Sequence, residues 1–299
     1  MAQLAPGENR RFNAQPITSV DYHLDIDYVG DGVRGHRLDV LVPHKGTANL
    51  PVYVYFHGGG WTSGDKGPLT KYCASQVAGG AMVVVNVNYR TATRVHMGDI
   101  LHDANEALAW VAREISNFGG DPTRLVLGGD SAGGQIAALL TATTTRAELA
   151  THYGISPAVA RSSIRGLVQH CSAVDFSVIF ERGFILGLQF VQMLLPERVA
   201  RHMLPAAARF LSPIEWLDAG FPPVLVTTSE QDPFYRANLN FIRRLSSHSV
   251  HVETLIYDRG TRNARHTWQQ NSSFAESQAV YRRLQDFVRR VAPQTRVAS

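Results

Sequence analysis

The chain has 299 residues, of which 44% are hydrophobic and 18% are charged. This balance is typical of a globular protein and excludes both an intrinsically disordered chain and a mainly apolar membrane protein. The formal net charge of +4 comes from scattered basic residues, and no basic run is interleaved with aromatic residues. Nucleic acid is therefore not an expected partner.

The two cysteines, Cys73 and Cys171, lie far apart in the chain and have no metal-type spacing around them. We expect buried or incidental thiols rather than a disulfide framework. Residues 1–16 lack the apolar core of a signal peptide, and no segment reaches the roughly 20 apolar residues of a spanning helix. The pattern predicts a cytoplasmic protein without a membrane span.

The first half of the chain alternates between strand and helix patterns. Residues 22–41 alternate in polarity around a turn at residues 30–32, which predicts antiparallel strands at a sheet edge. Short apolar runs at 52–56, 82–86 and 125–127 predict buried parallel strands. A helix is predicted over 99–114, with Asp99 as its N-terminal cap. This order predicts a doubly wound α/β sheet.

The second half continues this alternation around one irregular segment. A helix is predicted from Ser131 to Leu140, strands at 166–169, 223–228 and 250–257, and an amphipathic helix at 274–291. Residues 172–214 are apolar but lack a strand pattern, so we interpret them as a helical cap, joined by residues 1 to about 20. One domain, 1–299, is expected. The cap aromatics, which either pack on the sheet or line an acyl pocket, are Phe176, Phe180, Phe184 and Phe190.

The strongest local motif is G-D-S-A-G at residues 129–133, directly after one predicted strand and directly before an apolar helix. This context is typical of a nucleophile elbow, in which a strained strand-to-helix turn lifts the hydroxyl of Ser131 above the sheet. A tight structural turn or a dinucleotide loop is the alternative, but the spacing departs from G-x-G-x-x-G.

A second glycine motif, H-G-G-G-W at residues 57–61, follows the strand at 52–56. Backbone N–H groups of glycines approach a ligand without side-chain obstruction. This loop, together with the backbone N–H of Ala132 after the nucleophile, is therefore the expected oxyanion hole. His57 precedes the nucleophile in the chain, so we interpret it as an orienting residue rather than the catalytic base.

An elbow serine needs a base and a carboxylate, which follow it in the order acid, then histidine. Asp232 follows the strand at 223–228 and is the predicted acid, with Glu230 as its rival. His266 follows the last strand, is the only histidine beyond residue 251 and is the predicted base. His96 and His102 precede the elbow, and His202 lies in the predicted cap. Metal catalysis is not expected, because no H-E-x-x-H pair or compact His, Cys and carboxylate cluster is evident.

With these residues the sequence resembles the hormone-sensitive-lipase-like esterases, in the branch carrying G-D-S-A-G. The resemblance rests on residues 55–61, Asn88-Tyr89-Arg90, residues 119–122, residues 128–134, and Pro222-Pro223 leading to Asp232-Pro233. It implies the α/β-hydrolase fold, with a mostly parallel central sheet, helices on both faces and a helical cap. It also implies the triad named above, oxyanion donors at Gly58, Gly59 and Ala132, no cofactor, and a homodimer as an expected assembly.

The predicted function is hydrolysis of short- to medium-chain carboxylic esters through an acyl-enzyme at Ser131, with a small-molecule ester as substrate. Trp61, Phe184 and Phe190 are the predicted substrate-binding residues. Trp61 also resembles the tryptophan of arylformamidases and feruloyl-esterase-like hydrolases, which share the triad and remain an alternative. A non-catalytic receptor on the same fold is the remote alternative. The family's L-A-P-E is here T-A-T-R at residues 91–94, and residues 258–262 are unusually charged, which leaves substrate preference open.

Overall fold

The computed structural model describes residues 13, 15–45, 48–80, 82–92, 94–181 and 187–293. Eight strands form one sheet in the order β1-β2-β4-β3-β5-β6-β7-β8. β1 and β2 are antiparallel, as are β2 and β4, and all other pairs are parallel. The strands are β1 Val20–Asp27, β2 Arg37–Pro43, β3 Leu50–Phe56, β4 Val83–Val87, β5 Gly120–Asp130, β6 Ile164–His170, β7 Val224–Ser229 and β8 Val252–Tyr257. The predicted mostly parallel α/β sheet is confirmed.

Helices flank the sheet throughout the described part of the chain. They are α1 Thr70–Gly80, α2 Met97–Glu114, α3 Ala132–Thr143, α4 Ala147–Tyr153, α5 Gly187–Leu194, α6 Leu204–Ala207, α7 Tyr235–Ser247 and α8 Ala275–Val291. None of these helices is long and apolar enough to cross a membrane.

The start of α2 corrects one sequence prediction. The helix begins at Met97, so its cap is His96, and Asp99 lies three residues inside the first turn. The Asp99 carboxylate accepts the backbone N–H of His96 at 3.0 Å. Asp99 therefore closes the N-terminus from within the helix, as the acidic residue of a capping box does, instead of capping it from outside.

Alternation along β3 explains why both faces of the sheet carry helices. Val52, Val54 and Phe56 point to a core shared with α2, α3 and α7. Tyr53 and Tyr55 point to the opposite core, shared with α1 and α8. A strand buried on both faces is apolar along its whole length, which is the pattern that the sequence shows.

Because β3 and β5 to β8 are parallel, their carboxyl ends lie along one edge of the sheet. This is the edge where ligands of open α/β sheets bind.

The segment between β6 and β7, where the sequence predicts a cap, is built of short helices. It contains α5, α6 and several single-turn 3₁₀ helices between Phe176 and Trp216. A cavity of about 620 Å³ lies in this segment, with Leu188, Met193 and Arg198 among its lining residues, and its described lining includes neither Trp61 nor Phe190. Of the second predicted cap element, residues 1–12 and 14 lie outside the described residues. The Asn13 side chain donates a hydrogen bond to the Gly67 carbonyl and accepts one from the backbone N–H of Lys71, near the start of α1.

Candidate active site

Ser131 stands alone between β5 and α3, and its backbone is strained. Its φ of 52° and ψ of −117° lie outside the regions that L-residues normally occupy, at a typical cost of about 1–3 kcal/mol. The turn persists because the Ser131 N–H donates to the carbonyl of His170 at 2.9 Å. Side chains at Gly129 or Gly133 would collide with backbone, since a Cβ on Gly133 would lie 2.0 Å from the Phe56 carbonyl oxygen. This is the geometry of a nucleophile elbow.

The structure brings Ser131, His266 and Asp232 into one hydrogen-bonded line. His266 Nε2 lies 3.1 Å from Ser131 Oγ, and His266 Nδ1 lies 2.9 Å from Asp232 Oδ1. With Asp232 ionised, Nδ1 carries the proton and Nε2 presents a lone pair to the serine hydroxyl. This arrangement suits the imidazole to act as a general base toward Ser131.

The acid is fixed by its own loop and removed from water. The Asp232 side chain has no exposed surface. Its Oδ2 accepts the Thr228 hydroxyl at 3.0 Å, and its Oδ1 accepts the backbone N–H of Phe234 at 3.0 Å. The rival carboxylate, Glu230, is exposed and accepts the backbone N–H of Arg259 instead. The structure therefore places Asp232, and not Glu230, against the imidazole.

The predicted oxyanion donors differ in whether their N–H groups already have a hydrogen-bond acceptor. The Gly58 N–H already donates to Asp130 Oδ1 at 3.0 Å. Within the described part of the chain, the backbone N–H groups of Gly59 and Ala132 donate to no protein acceptor, and neither does that of Gly60. Two of the three predicted donors are therefore free, and the third glycine of the loop offers another.

Asp130 joins the loops around Ser131 from beneath. Its carboxylate is buried and accepts the Tyr55 hydroxyl, the Gly58 N–H and, at 2.9 Å, the side-chain amide of Gln270. Gln270 lies four residues after His266, so one carboxylate connects the glycine loop to the histidine loop. Burial raises the pKa of Asp130, and the hydrogen bond from Tyr55 opposes that shift.

His57 is a buried, neutral part of the glycine loop, in agreement with its predicted orienting role. Its Nδ1 lies 2.7 Å from the Gly58 carbonyl, and its ring stacks on Tyr89 with the centroids 4.4 Å apart. The Tyr89 hydroxyl donates to the His57 carbonyl at 2.6 Å. Burial lowers the pKa of His57, which keeps the imidazole uncharged.

The three predicted substrate-binding residues have different positions. Trp61 is 2% exposed, and its indole N–H donates to Gln135 of α3 at 3.0 Å. Phe190 on α5 is half-buried; its ring centroid lies 5.8 Å from that of Trp61, and a Cβ on Gly60 would be 3.5 Å from its edge. Phe184 lies outside the described residues. Trp61 thus packs between the glycine loop and the cap, while Phe190 borders the loop from the cap side.

One compact cluster of possible metal ligands corrects the sequence analysis, which expected none. Donor atoms of Cys171, Asp232 and His266 lie within 4.8 Å of one another. The sequence analysis missed the cluster because Cys171 has no metal-type spacing around it in the chain, and its members come together only at the ends of β6, β7 and β8. Burial raises the pKa of the Cys171 thiol well above its ordinary value. A metal needs the thiolate and the histidine lone pair, so this donor set suits a hydrogen-bonded triad better than a metal centre.

Sequence reasoning also missed residues that support the site from behind. Gln270 and Gln135 carry no local motif, and their contacts with Asp130 and Trp61 span 140 and 74 residues of chain. Cys171 had one usable signal, its place directly after β6. That strand neighbours β5, and its carboxyl end therefore has to lie beside the elbow.

Comparison with known proteins agrees with this geometry. Residues 53–264 match a family described as the alpha/beta hydrolase fold. Carboxylesterase NlhH of Mycobacterium tuberculosis is 29% identical over 267 residues, which cover 84% of this chain and 78% of that protein. Esterase LipQ of the same organism is 27% identical over 76% of this chain and 51% of its own length.

A solved structure gives the same fold. Esterase B from Lactobacillus Rhamnosis superposes with a TM-score of 0.83 at 20% identity, covering 96% of this chain and 91% of that one. The family match spans more than half of the chain and includes the elbow, the glycine loop and the acid. The protein therefore belongs to the α/β-hydrolase fold family, among its hormone-sensitive-lipase-like carboxylesterases.

Proposed function

We propose that this carboxylesterase hydrolyses short- to medium-chain esters through an acyl-enzyme on Ser131. The observation that carries the proposal is the placement of His266 between Ser131 Oγ at 3.1 Å and Asp232 Oδ1 at 2.9 Å. A serine hydroxyl is a weak nucleophile at neutral pH, and a base within hydrogen-bond reach activates it.

In the first step, Ser131 Oγ attacks the ester carbonyl carbon while His266 Nε2 takes the hydroxyl proton. The carbonyl oxygen becomes an oxyanion, which the free N–H groups of Gly59 and Ala132 bind, with Gly60 as a further donor. α3 begins at Ala132, so its positive N-terminal end adds to this stabilisation. The C–O bond to the alcohol then breaks, and His266 returns the proton to the leaving oxygen.

In the second step, water attacks the acyl-enzyme. His266 takes a proton from the water, a second oxyanion forms in the same site, and Ser131 leaves with the proton that His266 returns. Asp232 stays ionised throughout and holds the imidazole in the tautomer that both steps need. One ester and one water give one acid and one alcohol.

The test is turnover of p-nitrophenyl esters of increasing acyl length, run in parallel with N-formylkynurenine and with fluorophosphonate labelling. We expect labelling at Ser131 and faster turnover of short and medium esters than of the formamide. Faster turnover of N-formylkynurenine would assign the arylformamidase alternative. A chain that resists labelling and hydrolyses neither substrate would contradict the proposal and favour a receptor.

A further inference from the structure

Backbone hydrogen bonds fix the position of Cys171 between the nucleophile and the acid. It follows β6 directly, and its backbone N–H donates to the Thr227 carbonyl of β7 at 2.8 Å. The preceding carbonyl, of His170, accepts the Ser131 N–H at 2.9 Å, and the Ala173 N–H donates to the Ser131 carbonyl at 3.2 Å. The turn that carries Cys171 is thus hydrogen-bonded to the elbow on one side and to the acid-bearing strand on the other.

The Cys171 side chain meets both remaining members of the triad. Its sulfur, an Asp232 carboxylate oxygen and a His266 ring nitrogen lie within 4.8 Å of one another. Burial raises the pKa of the thiol, the neighbouring Asp232 carboxylate raises it further, and the backbone N–H of Thr267, the residue after the base, opposes that shift. The thiol is fully buried. No other described cysteine lies in this group, because Cys73 is on α1.

Two strained residues adjoin these contacts. Cys171 has a φ of 50° and Thr267 a φ of 56°, in the left-handed region that non-glycine residues rarely occupy. Thr267 is β-branched, which makes this conformation more unfavourable. The surrounding structure has to maintain such residues, and the Cys171 sulfur is part of the surroundings of the Thr267 N–H. The Cys171 side chain therefore borders the loop that carries the base.

We propose that Cys171 is a positioning residue for ester hydrolysis, whose S–H donates to Asp232 and whose sulfur anchors the His266 loop through Thr267. The inference rests on the proposed function of the triad. Burial raises the pKa of the thiol, so it remains an S–H donor at the pH of catalysis. Donation to the carboxylate withdraws negative charge from Asp232, and this tunes how strongly Asp232 stabilises a protonated His266.

The test measures the acidic limb of the kcat/KM profile for p-nitrophenyl acetate in Cys171→Ala and Cys171→Ser. The titratable groups around the imidazole are Asp232, Cys171 and Asp130. Loss of the S–H leaves more charge on Asp232, which stabilises the protonated imidazole, so the acidic limb should move to higher pH in Cys171→Ala. A serine O–H is the stronger donor, so the limb should lie at or below that of the wild type in Cys171→Ser.

We expect kcat for Cys171→Ala to fall by about three- to tenfold, the range that one ordinary hydrogen bond represents, and Cys171→Ser to recover most of it. Cys73→Ala is the matched control, because it removes a second fully buried thiol that is not in the triad cluster. It should leave both kcat and the limb unchanged. The low-field proton resonance of His266 Nδ1–H should move in Cys171→Ala and not in Cys73→Ala.

The inference would be overturned if the acidic limb of kcat/KM lay at the same pH in the wild type, Cys171→Ala and Cys171→Ser. It would also be overturned if kcat fell in both Cys171→Ala and Cys73→Ala in proportion to their loss of melting temperature. If Cys171→Ala does not fold, an unshifted limb and resonance in Cys171→Ser overturn it. Fluorophosphonate labelling of the wild type separates the two proposals. A labelled wild type with unshifted Cys171 variants contradicts this inference only, whereas a wild type that is not labelled contradicts the triad itself.

Discussion

Ser131 contributes a hydroxyl to the site and almost no packing, since its side chain ends at the imidazole of His266. Ser131→Ala should therefore abolish fluorophosphonate labelling and lower kcat by about 10⁶-fold, the loss typical of removing a triad nucleophile. The melting temperature should stay close to that of the wild type, because alanine keeps the same Cβ in the same strained turn. Labelling followed by mass spectrometry tests the prediction, and full esterase activity in the variant would contradict it.

The identity of the acid is testable with two neighbouring carboxylates. Asp232→Asn should reduce kcat by about 10⁴-fold, because an amide in place of the carboxylate favours the wrong tautomer of the imidazole. Glu230→Gln is the matched control, since Glu230 is exposed and meets only the loop at Arg259. Its kcat should remain within about twofold of the wild type, as surface changes usually have small effects. A larger loss of kcat in Glu230→Gln than in Asp232→Asn would show that Glu230, and not Asp232, is the acid.

Individual site residues could be predicted from the sequence where the order of the strands limits which residues can lie at the same edge of the sheet. Ser131, Asp232 and His266 follow β5, β7 and β8, whose carboxyl ends share one edge, so the elbow motif and the chain order together predicted that they would meet. The engagement of Gly58 by Asp130 could not be predicted in this way. It depends on how closely β3 and β5 end beside each other, which is a matter of register and not of residue type.

At the scale of elements, α5 borders the glycine loop. Phe190 contacts Trp61 and lies against Gly60 while remaining half-buried. Phe176 also contacts Trp61, with the ring centroids 5.7 Å apart, but it is 1% exposed in the core. Phe190→Ala should therefore shift the preference between short and medium acyl chains. Each methylene that loses its contact changes relative kcat/KM by about fourfold, from about 0.8 kcal/mol of transfer free energy.

A p-nitrophenyl ester series from acetate to octanoate measures the shift. Inactivation by a small organophosphate should change little, because that reagent does not reach the acyl pocket. Phe176→Ala is the contrasting variant and should mainly lower stability, by about 3–5 kcal/mol as for other buried phenylalanines. An unchanged acyl-length profile in Phe190→Ala would mean that α5 only packs on the loop.

Secondary structure was predicted best where burial and pattern coincide. The apolar runs at 52–56 and 82–86 became β3 and β4 with shifts of one or two residues, because central strands of a covered sheet need apolar side chains on both faces. The run at 125–127 became a strand of 11 residues, since β5 begins at Gly120 and continues through Gly128 and Gly129 to Asp130. Glycines weaken a strand pattern. Here close packing requires them, because a Cβ on Gly128 would meet the side chains of Tyr53 and Val168, and a Cβ on Gly129 would meet backbone.

Several titratable side chains are buried in the apolar core of the molecule. Among them, His170 has a hydrogen-bond partner at each ring nitrogen. It is fully buried at the end of β6, where its Nε2 meets the Tyr72 hydroxyl at 2.9 Å and its Nδ1 meets the Thr227 hydroxyl at 2.7 Å. Desolvation lowers its pKa from 6.5 to about 3. The folded protein thus keeps His170 neutral over a pH range in which the unfolded chain protonates it.

This difference makes folding stability depend on pH with a definite sign. Between pH 6.5 and pH 3 only the unfolded chain binds the proton at this position, so stability falls as the pH falls, by about 1.4 kcal/mol per pH unit. From pH 7 to pH 5 we expect a loss of about 2 kcal/mol from His170 in the free energy of unfolding. His170→Gln should be less stable at pH 7 but should lose about 2 kcal/mol less than the wild type over the same interval. Urea unfolding at both pH values measures this, with His202→Gln as the control because His202 is exposed. Equal pH dependence in the wild type and His170→Gln would show that this buried imidazole does not govern the acid sensitivity of the fold.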